Sequence, residues 1–390
     1  MNQGKYVFAQ LMSLIDPNDF RRCVTRYQGD YRVRQFSCWH QFLCMSFGQL
    51  THRESLRDII TCLGAHECKL YHIGLSRGVS RSTLADANEQ RDWRIYADFA
   101  QILIQRARFL YAGAVLEEID LDNTIYALDA TTIDLCLEVF WWAKFRKHKA
   151  ALKLHTLFDI RCQIPCFIHI TDGLCHDVNV LDILKFERDA FYVMDRGYLD
   201  WARLFNIHEQ GAYFVTRAKK NLAFVRVYSH TVDKSTGLRC DQTVRLKNYY
   251  ASTEYPQHLR RIKYYDQEQN RTIVFLTNNF EADALQVTKL YKYRWQIELF
   301  FKWVKQHLRI KVFWGESANA VKTQIWIAVC TYVLVAILKK ELKISISTNE
   351  ILQILSVSPF DKTPVNQLLK KDDNKNNEPD NSNQLILFDL

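Results

Sequence analysis

The pattern that most restricts this chain lies between residues 291 and 305, where Tyr291, Arg294, Glu298 and Lys305 stand in the spacing Y-x2-R-x3-E-x6-K. At about 5% frequency per residue type, four fixed identities arise by chance in well under one chain in a hundred of this length. A helix makes sense of the spacing. At roughly 100° per residue the four side chains fall within an arc of about 60°, along a stripe roughly 21 Å long. Ile297, Phe300, Val304 and Leu308 fall on a neighbouring arc that can pack on a sheet. The expected element is one long helix from about Asp283 to Leu308, anchored along one flank and presenting an acid between two bases. An amphipathic helix whose Arg294 and Glu298 merely pair one turn apart is the plainer alternative.

Two aspartates stand in a second recurring setting. Thr124 to Leu128 is a short apolar run that meets Asp129, and Phe191 to Met194 is one that meets Asp195 in the sequence Asp195, Arg196, Gly197, Tyr198. A carboxylate just past a buried strand is held rigidly, as a metal ligand must be. Singly each is weak, since an aspartate at a strand end more often serves a turn or cap. Asp122, Asp134 and Asp172 are rival carboxylates that lack both the strand-end setting and signature neighbours. His176 and Asp177 fall in a loop between a strand and a helix and read as structural.

Around these residues the chain changes texture. Residues 1–115 read as a helical N-terminal domain. Asp16 and Pro17 offer a cap and a first helical position, Thr51 and Glu54 have capping-box spacing, and Ser82 can cap a third helix continuing through Trp93, Tyr96 and Phe99. Arginines such as Arg21, Arg22, Arg26, Arg32 and Arg34 recur among these helices, as in a DNA-end-recognition domain or a plain helical cap with a solvated basic face. Residues 116–216 read as strands at Ala150 to Ile160, Ile164 to Thr171 and Ala212 to Thr216, with helices at Asn179 to Phe186 and Leu199 to Gln210. Residues 217–277 alternate apolar and polar as an antiparallel β-rich insertion. Residues 278–345 return to helix, including the apolar run Ile325 to Leu338, too short to span a bilayer and expected to be buried. Residues 346–390 end in a polar tail of disordered character. Strands in quick succession, then alternating with helices, make an α/β chain with a mixed sheet flanked by helices.

Composition bounds the chemistry. Hydrophobic residues are 48% and charged residues 24% of 390, enough for a full core. Lys and Arg outnumber Asp and Glu by 52 to 43, a formal charge of +9 compatible with nucleic acid or with an ordinary basic protein. The eleven cysteines include no Cys-x-x-Cys pair, which speaks against a zinc ribbon. Without a leader-like segment at Met1, the expected setting is a reducing cytoplasm with no membrane. Three carboxylates without a His or Cys cluster would form a hard-oxygen site that prefers magnesium or manganese to zinc.

On Asp129, the Asp195 to Tyr198 motif and the Tyr291 to Lys305 signature, residues 120 to 330 resemble the bacterial insertion-sequence transposases with the YREK signature, the IS-four family. The resemblance implies a ribonuclease-H-like fold with a β-rich insertion between the second aspartate and the glutamate. It also implies that Asp129, Asp195 and Glu298 are catalytic and hold two Mg2+ or Mn2+ ions. Such ions, about 4 Å apart, would activate the attacking oxygen and stabilise the leaving one. The implied function is cut-and-paste transposition, in which a water nicks the element's end and the freed 3′-hydroxyl attacks target DNA. Implied partners are double-stranded DNA, both terminal inverted repeats and target, and a second copy of the chain when DNA-bound, in a bacterial nucleoid. Tyr291, Arg294 and Lys305 would contact phosphates near the cut, and Trp295 would stack on a flipped base or pack in the core. Lys144, Arg146, Lys147, Lys149 and Lys153, a basic run free of acids, would track a DNA backbone or form a solvated loop. A stand-alone ribonuclease-H-like nuclease and a non-catalytic transposase-derived DNA-binding protein are the alternatives.

Overall fold

The structure, a computed structural model, describes residues 4–76, 78–111, 113, 119–136, 138–146, 149–307 and 313–370. The expected boundary at residue 115, Lys147, the helix end at Leu308 and the polar tail from Lys371 on lie outside these residues.

Seven helices come first: α1 (Val7–Met12), α2 (Pro17–Arg26), α3 (Cys38–Leu50), α4 (Leu56–Gly64), α5 (Glu67–Leu70), α6 (Arg81–Gln90) and α7 (Arg94–Tyr111). Asp16 caps α2 as expected, accepting from the Asn18 amide with Pro17 at the first position. Two other caps shift. Ser55, not Thr51, caps α4, because Thr51 closes α3 instead. Ser80, not Ser82, caps α6, and extended backbone at Arg91 divides the expected third helix into α6 and α7.

The strands are β1 (Ile125–Leu135), β2 (Lys144–Arg146), β3 (Lys149–Asp159), β4 (Ile164–Asp172) and β5 (Phe191–Met194). Helix α8 (Trp201–Glu209) then precedes β6 (Tyr213–Arg217), β7 (Phe224–His230) and β8 (Leu238–Leu246), and α9 (Tyr249–Glu254) precedes β9 (Leu259–Asp266) and β10 (Arg271–Thr277). All ten form one mixed sheet in the order β2-β3-β1-β5-β6-β10-β9-β8-β7, with β4 also on β3. The pairs β1–β5 and β5–β6 are parallel, and the remaining pairs are antiparallel. The residues 217–277 thus do not stand apart: β10 pairs β6, so the insertion prolongs the central sheet.

Side-chain alternation sorts this sheet into two faces. Tyr126, Leu128, Tyr192, Met194 and Phe214 join the core under α8, while Ile125, Ala127, Phe191, Val193 and Val215 join the larger core shared with the N-terminal helices. Asp129 follows Ala127 on that second face. It is not at a strand end, because β1 continues to Leu135 as the partner of β3. The β1–β5 pairing, however, stops at Leu128 and Met194, so both aspartates lie one residue beyond the paired segment.

The last helices are α10 (Ala284–Tyr293), α11 (Trp295–His307), α12 (Ala318–Glu341), α13 (Thr348–Val357) and α14 (Val365–Leu368). The single helix expected from Asp283 is broken at Arg294, where the Arg294 amide bonds the Tyr291 carbonyl and the Ile297 amide bonds that of Arg294, three residues back in each case. A short 3-10 turn, Asp177–Asp182, replaces the helix expected from Asn179 to Phe186. Helix α12 is apolar on every side and is accordingly central, packed against α7, α3, α6 and β4. By length and composition it could cross a membrane, but 94% of its most apolar window is buried inside the protein.

A buried ion pair ties the insertion to the signature helices. Arg260 on β9 bonds Asp241 on β8 through two nitrogens at 2.9 and 2.7 Å and also donates to the Ala282 carbonyl just ahead of α10. Both side chains are under 10% exposed. Asp241→Ala leaves the guanidinium buried without its counter-charge, and should cost about 3–5 kcal/mol. Equilibrium urea unfolding reads this, and a loss under about 1 kcal/mol would contradict the account.

Candidate active site

Asp129, Asp195 and Glu298 come from β1, from the turn after β5 and from the first turn of α11, and the fold brings them to one end of the sheet. Asp129 is the most enclosed. It accepts from the Ala130 amide at 2.8 Å and from Arg294 at 2.6 Å. Burial raises its pKa; Arg294 and the Ala130 amide oppose the rise, and the charges of Glu298 and Asp195 add to it. Asp195 accepts from the Arg196 amide at 2.7 Å and has Arg217 3.8 Å away. Glu298 is the most open, its side chain 58% exposed.

Arg294 is the centre of this group. One guanidinium nitrogen lies 2.6 Å from Asp129 and another 2.6 Å from Glu298, while the side chain is only 15% exposed. The pairing of Arg294 with Glu298 does occur, but as half of a bridge to Asp129 rather than as a surface pair. Tyr291 is 9% exposed, its ring tilted on Phe275 at 5.1 Å with the Arg217 and Arg294 cations 5.9 and 5.8 Å from its centre. The signature is therefore not a uniformly exposed stripe: the break at Arg294 turns Tyr291 and Arg294 inward and leaves Lys305 exposed.

Trp295 is 49% exposed and lines a cleft of about 780 Å³. Asp195, Arg217, Tyr291, Arg294 and Glu298 form one wall and the β9–β10 turn, with Tyr264, Tyr265 and Arg271, the other. Arg217 and Arg271 escaped the sequence reading. Arg217 carried a usable signal, since it closes a strand just as Met194 precedes Asp195; Arg271 reaches the cleft only because the insertion joins the sheet.

The expected basic run is only partly visible. Lys144 and Arg146 lie on β2 and Lys149 opens β3, their side chains outside the described residues. Lys153 does not face solvent as a free cation. It bonds the Cys175 carbonyl at 2.7 Å and pairs with Asp177 at 3.0 Å. Asp122, Asp134 and Asp172 are exposed and stay off the cleft.

As a donor set, three carboxylates suit a hard divalent ion. Among the described residues, though, no group of three or more acidic, histidine or cysteine side chains is already gathered as a ligand cage. Arg294 stands between Asp129 and Glu298, so the residues fit such an ion by kind once the guanidinium moves aside.

Residues 120–334 match the family described as Transposase DDE domain, and residues 3–76 match DUF4372, a domain of unknown function. The chain is 32% identical over 261 residues to the putative transposase y4zB of Sinorhizobium fredii, covering 65% of this chain and 70% of the relative. It is 30% identical over 226 residues to a probable transposase for insertion sequence element IS5377 of Geobacillus stearothermophilus, covering 56% of this chain and 59% of the relative. It is 25% identical over 267 residues to a putative transposase for insertion sequence element IS4SA of Synechocystis, covering 67% of this chain and 72% of the relative. Among solved structures, a piggyBac transposase synaptic complex with hairpin DNA overlays with a TM-score of 0.46 at 10% identity, covering 92% of this chain and 81% of that one.

Proposed function

The chain belongs to the Transposase DDE domain family and is a DNA transposase, and from that premise we propose that Asp129, Asp195 and Glu298 are the carboxylates of its active site. The observation that carries the proposal is their convergence. Residues 66 apart (195 − 129) and 103 apart (298 − 195) meet: Arg294 bonds Asp129 and Glu298 at 2.6 Å each, and Asp195 lines the same cleft as Arg294 and Glu298. The β1–β5 end of a mixed sheet backed by helices is compatible with a ribonuclease-H-like core.

The DDE family uses divalent metal ions. Asp129, Asp195 and Glu298 would hold them here, as Mg2+ or Mn2+, and when bound two such ions supply activation of the attacking oxygen and charge stabilisation at the leaving oxygen. The chain's own residues do the rest. Arg217, Arg271 and Arg294 line the cleft as phosphate partners, Arg294 after leaving the carboxylates. Trp295 offers a half-exposed ring for stacking on a base. Lys305, one to two turns beyond Glu298, extends the positive charge along the DNA. The reaction is cut and paste. Water hydrolyses a phosphodiester at the element's end, and the 3′-hydroxyl then attacks a target phosphodiester, one P–O bond forming as one breaks. Two copies of the chain hold the two ends.

The test incubates the full chain with duplexes carrying the inverted repeats beside its gene and a supercoiled target, in Mg2+ and in EDTA. Joined product in Mg2+ alone is expected. Cleavage without joining would reassign the chain as a nuclease, and binding with neither would reduce it to a DNA-binding protein.

A further inference from the structure

Behind the candidate carboxylates, on the α8 side of the sheet, His155 Nδ1 and Tyr198 Oη are buried without a hydrogen-bond partner among the described residues, and the buried Asp177 Oδ1 is met by Lys153 at 3.0 Å. They come from β3, from the 3-10 turn Asp177–Asp182 and from the turn Arg196–Tyr198, and these two turns pack together. Buried polar atoms in native proteins are almost always satisfied, so two orphans beside a buried carboxylate oxygen mark a site.

The hydrogen-bond arithmetic says what the site accepts. The Thr171 hydroxyl donates to the Asp172 carbonyl, so toward His155 Nε2, 2.9 Å away, it acts as acceptor. Nε2 therefore carries the imidazole proton and Nδ1 is an acceptor. The ring is neutral, its pKa pushed by burial down to about 4. Asp177 Oδ1, also an acceptor, lies 4.0 Å from Nδ1, too far for a direct bond. Lys153 pairs with that oxygen at 3.0 Å, and a carboxylate oxygen keeps a second lone pair for another donor. Two acceptors at this spacing call for one molecule with two donors, and Tyr198, whose turn packs on that of Asp177, has a buried hydroxyl with a proton to give. A water that donates to His155 and Asp177 and accepts from Tyr198 satisfies all three, with the three bonds usual for a buried water.

Tyr198 matters because of where it is attached. In the turn that carries Asp195, Arg196 and Gly197 are exposed and Tyr198 is 3% exposed. Asp195 itself is weakly held, by the Arg196 amide and a distant Arg217. The aim of Asp195 thus depends on the anchoring of its turn.

We infer that His155, Asp177 and Tyr198 form a buried water-binding site that positions Asp195 against Asp129. All three are positioning residues, and the inference rests on the active-site reading above. Groups that orient metal-binding side chains from behind change metal affinity or activity by about 10- to 100-fold when removed.

The test uses the full chain with Tyr198→Phe, which removes one hydroxyl and keeps the ring, with Asp177→Asn, and with both. Single-turnover nicking of an end duplex should slow about 10- to 100-fold in Tyr198→Phe. Half-saturating Mg2+ should rise, with end affinity in Ca2+ and thermal midpoint near wild type. The double variant should be no slower than the slower single, because one water serves both groups. Independently of activity, 15N spectra of histidine-labelled, metal-free protein should show His155 as the neutral Nε2–H form, with its Nδ1 signal shifted in Tyr198→Phe. Wild-type nicking and Mg2+ requirement in Tyr198→Phe would overturn the inference, as would multiplying losses in the double variant or an unshifted Nδ1. Should a variant not fold, the wild-type spectrum decides: an Nδ1–H tautomer refutes the site. Failure of wild-type protein to nick would instead refute the active-site reading.

Discussion

Asp129→Asn lowers end cleavage by at least about a thousandfold and leaves binding of the end duplex within a few-fold of wild type. The carboxylate is the most buried of the three, and Asn keeps its shape and an oxygen for Arg294, which lies 2.6 Å from Asp129 Oδ2. What disappears is the negative charge that would hold a divalent ion. Metal activation of the attacking and leaving oxygens is worth several kcal/mol, and each 1.36 kcal/mol is tenfold in rate. Binding survives because the affinity for DNA comes from the phosphates and the basic groups that meet them. Asp195→Asn and Glu298→Gln should behave alike. Single-turnover cleavage of an end duplex, with a parallel gel-shift, measures both quantities. Retained cleavage in any one variant removes that residue from the active site.

Arg294→Met produces two effects of opposite sign. The free protein, without DNA, binds Mn2+ about tenfold more tightly, and cleavage of bound DNA falls sharply. In the structure the guanidinium is a resident cation, bonded to Asp129 and Glu298 at 2.6 Å each. A divalent ion has to displace it. Unit charges about 4 Å apart attract by roughly 4 kcal/mol at an effective dielectric of 20. Because the Glu298 side chain is more than half exposed, solvent screening leaves only part of that. Removing the guanidinium frees two carboxylates for the metal. On DNA the same guanidinium is proposed to grip a phosphate, so its loss costs cleavage. Calorimetric Mn2+ titration with a thermal melt separates the cases. Unchanged or weaker Mn2+ binding in a folded Arg294→Met protein would show that the guanidinium does not compete for the site, and would return Arg294 to a purely structural role. Such an exchange would couple metal loading to DNA arrival, since in the free protein Arg294 bonds both Asp129 and Glu298.

Much of the candidate site was legible in residue order because its parts are local. Asp195 with Tyr198, and Tyr291 with Arg294 and Glu298, each lie within about two helical turns, where spacing alone fixes relative direction. Strands β1, β3, β4, β5 and β6 were visible for the same reason, since apolar runs are short-range signals, whereas β7 to β10 showed only as an alternating stretch and β2 did not show. Three things were not. Asp129 read as a strand end because the apolar run stops there, yet β1 continues to Leu135 on the strength of its pairing with β3. The signature helix read as continuous because no Gly or Pro interrupts residues 283–308; its break at Arg294 accompanies a bridge to a strand 165 residues away. Asp177 read as structural and His155 was not singled out, since neither has a chemical partner nearby in the chain that would mark a site.

By itself the sequence singled out the candidate residues and most of the elements that carry them, because side-chain type, strand alternation and helical period are properties of short stretches. Tertiary structure alone decided that the insertion extends the central sheet, that Arg294 bridges Asp129 to Glu298, and that His155 stands 4.0 Å from Asp177 while the turn carrying Tyr198 packs on that of Asp177. These depend on contacts between segments far apart in the chain. Their geometry is set by how the two faces of one sheet are covered, which no local pattern encodes.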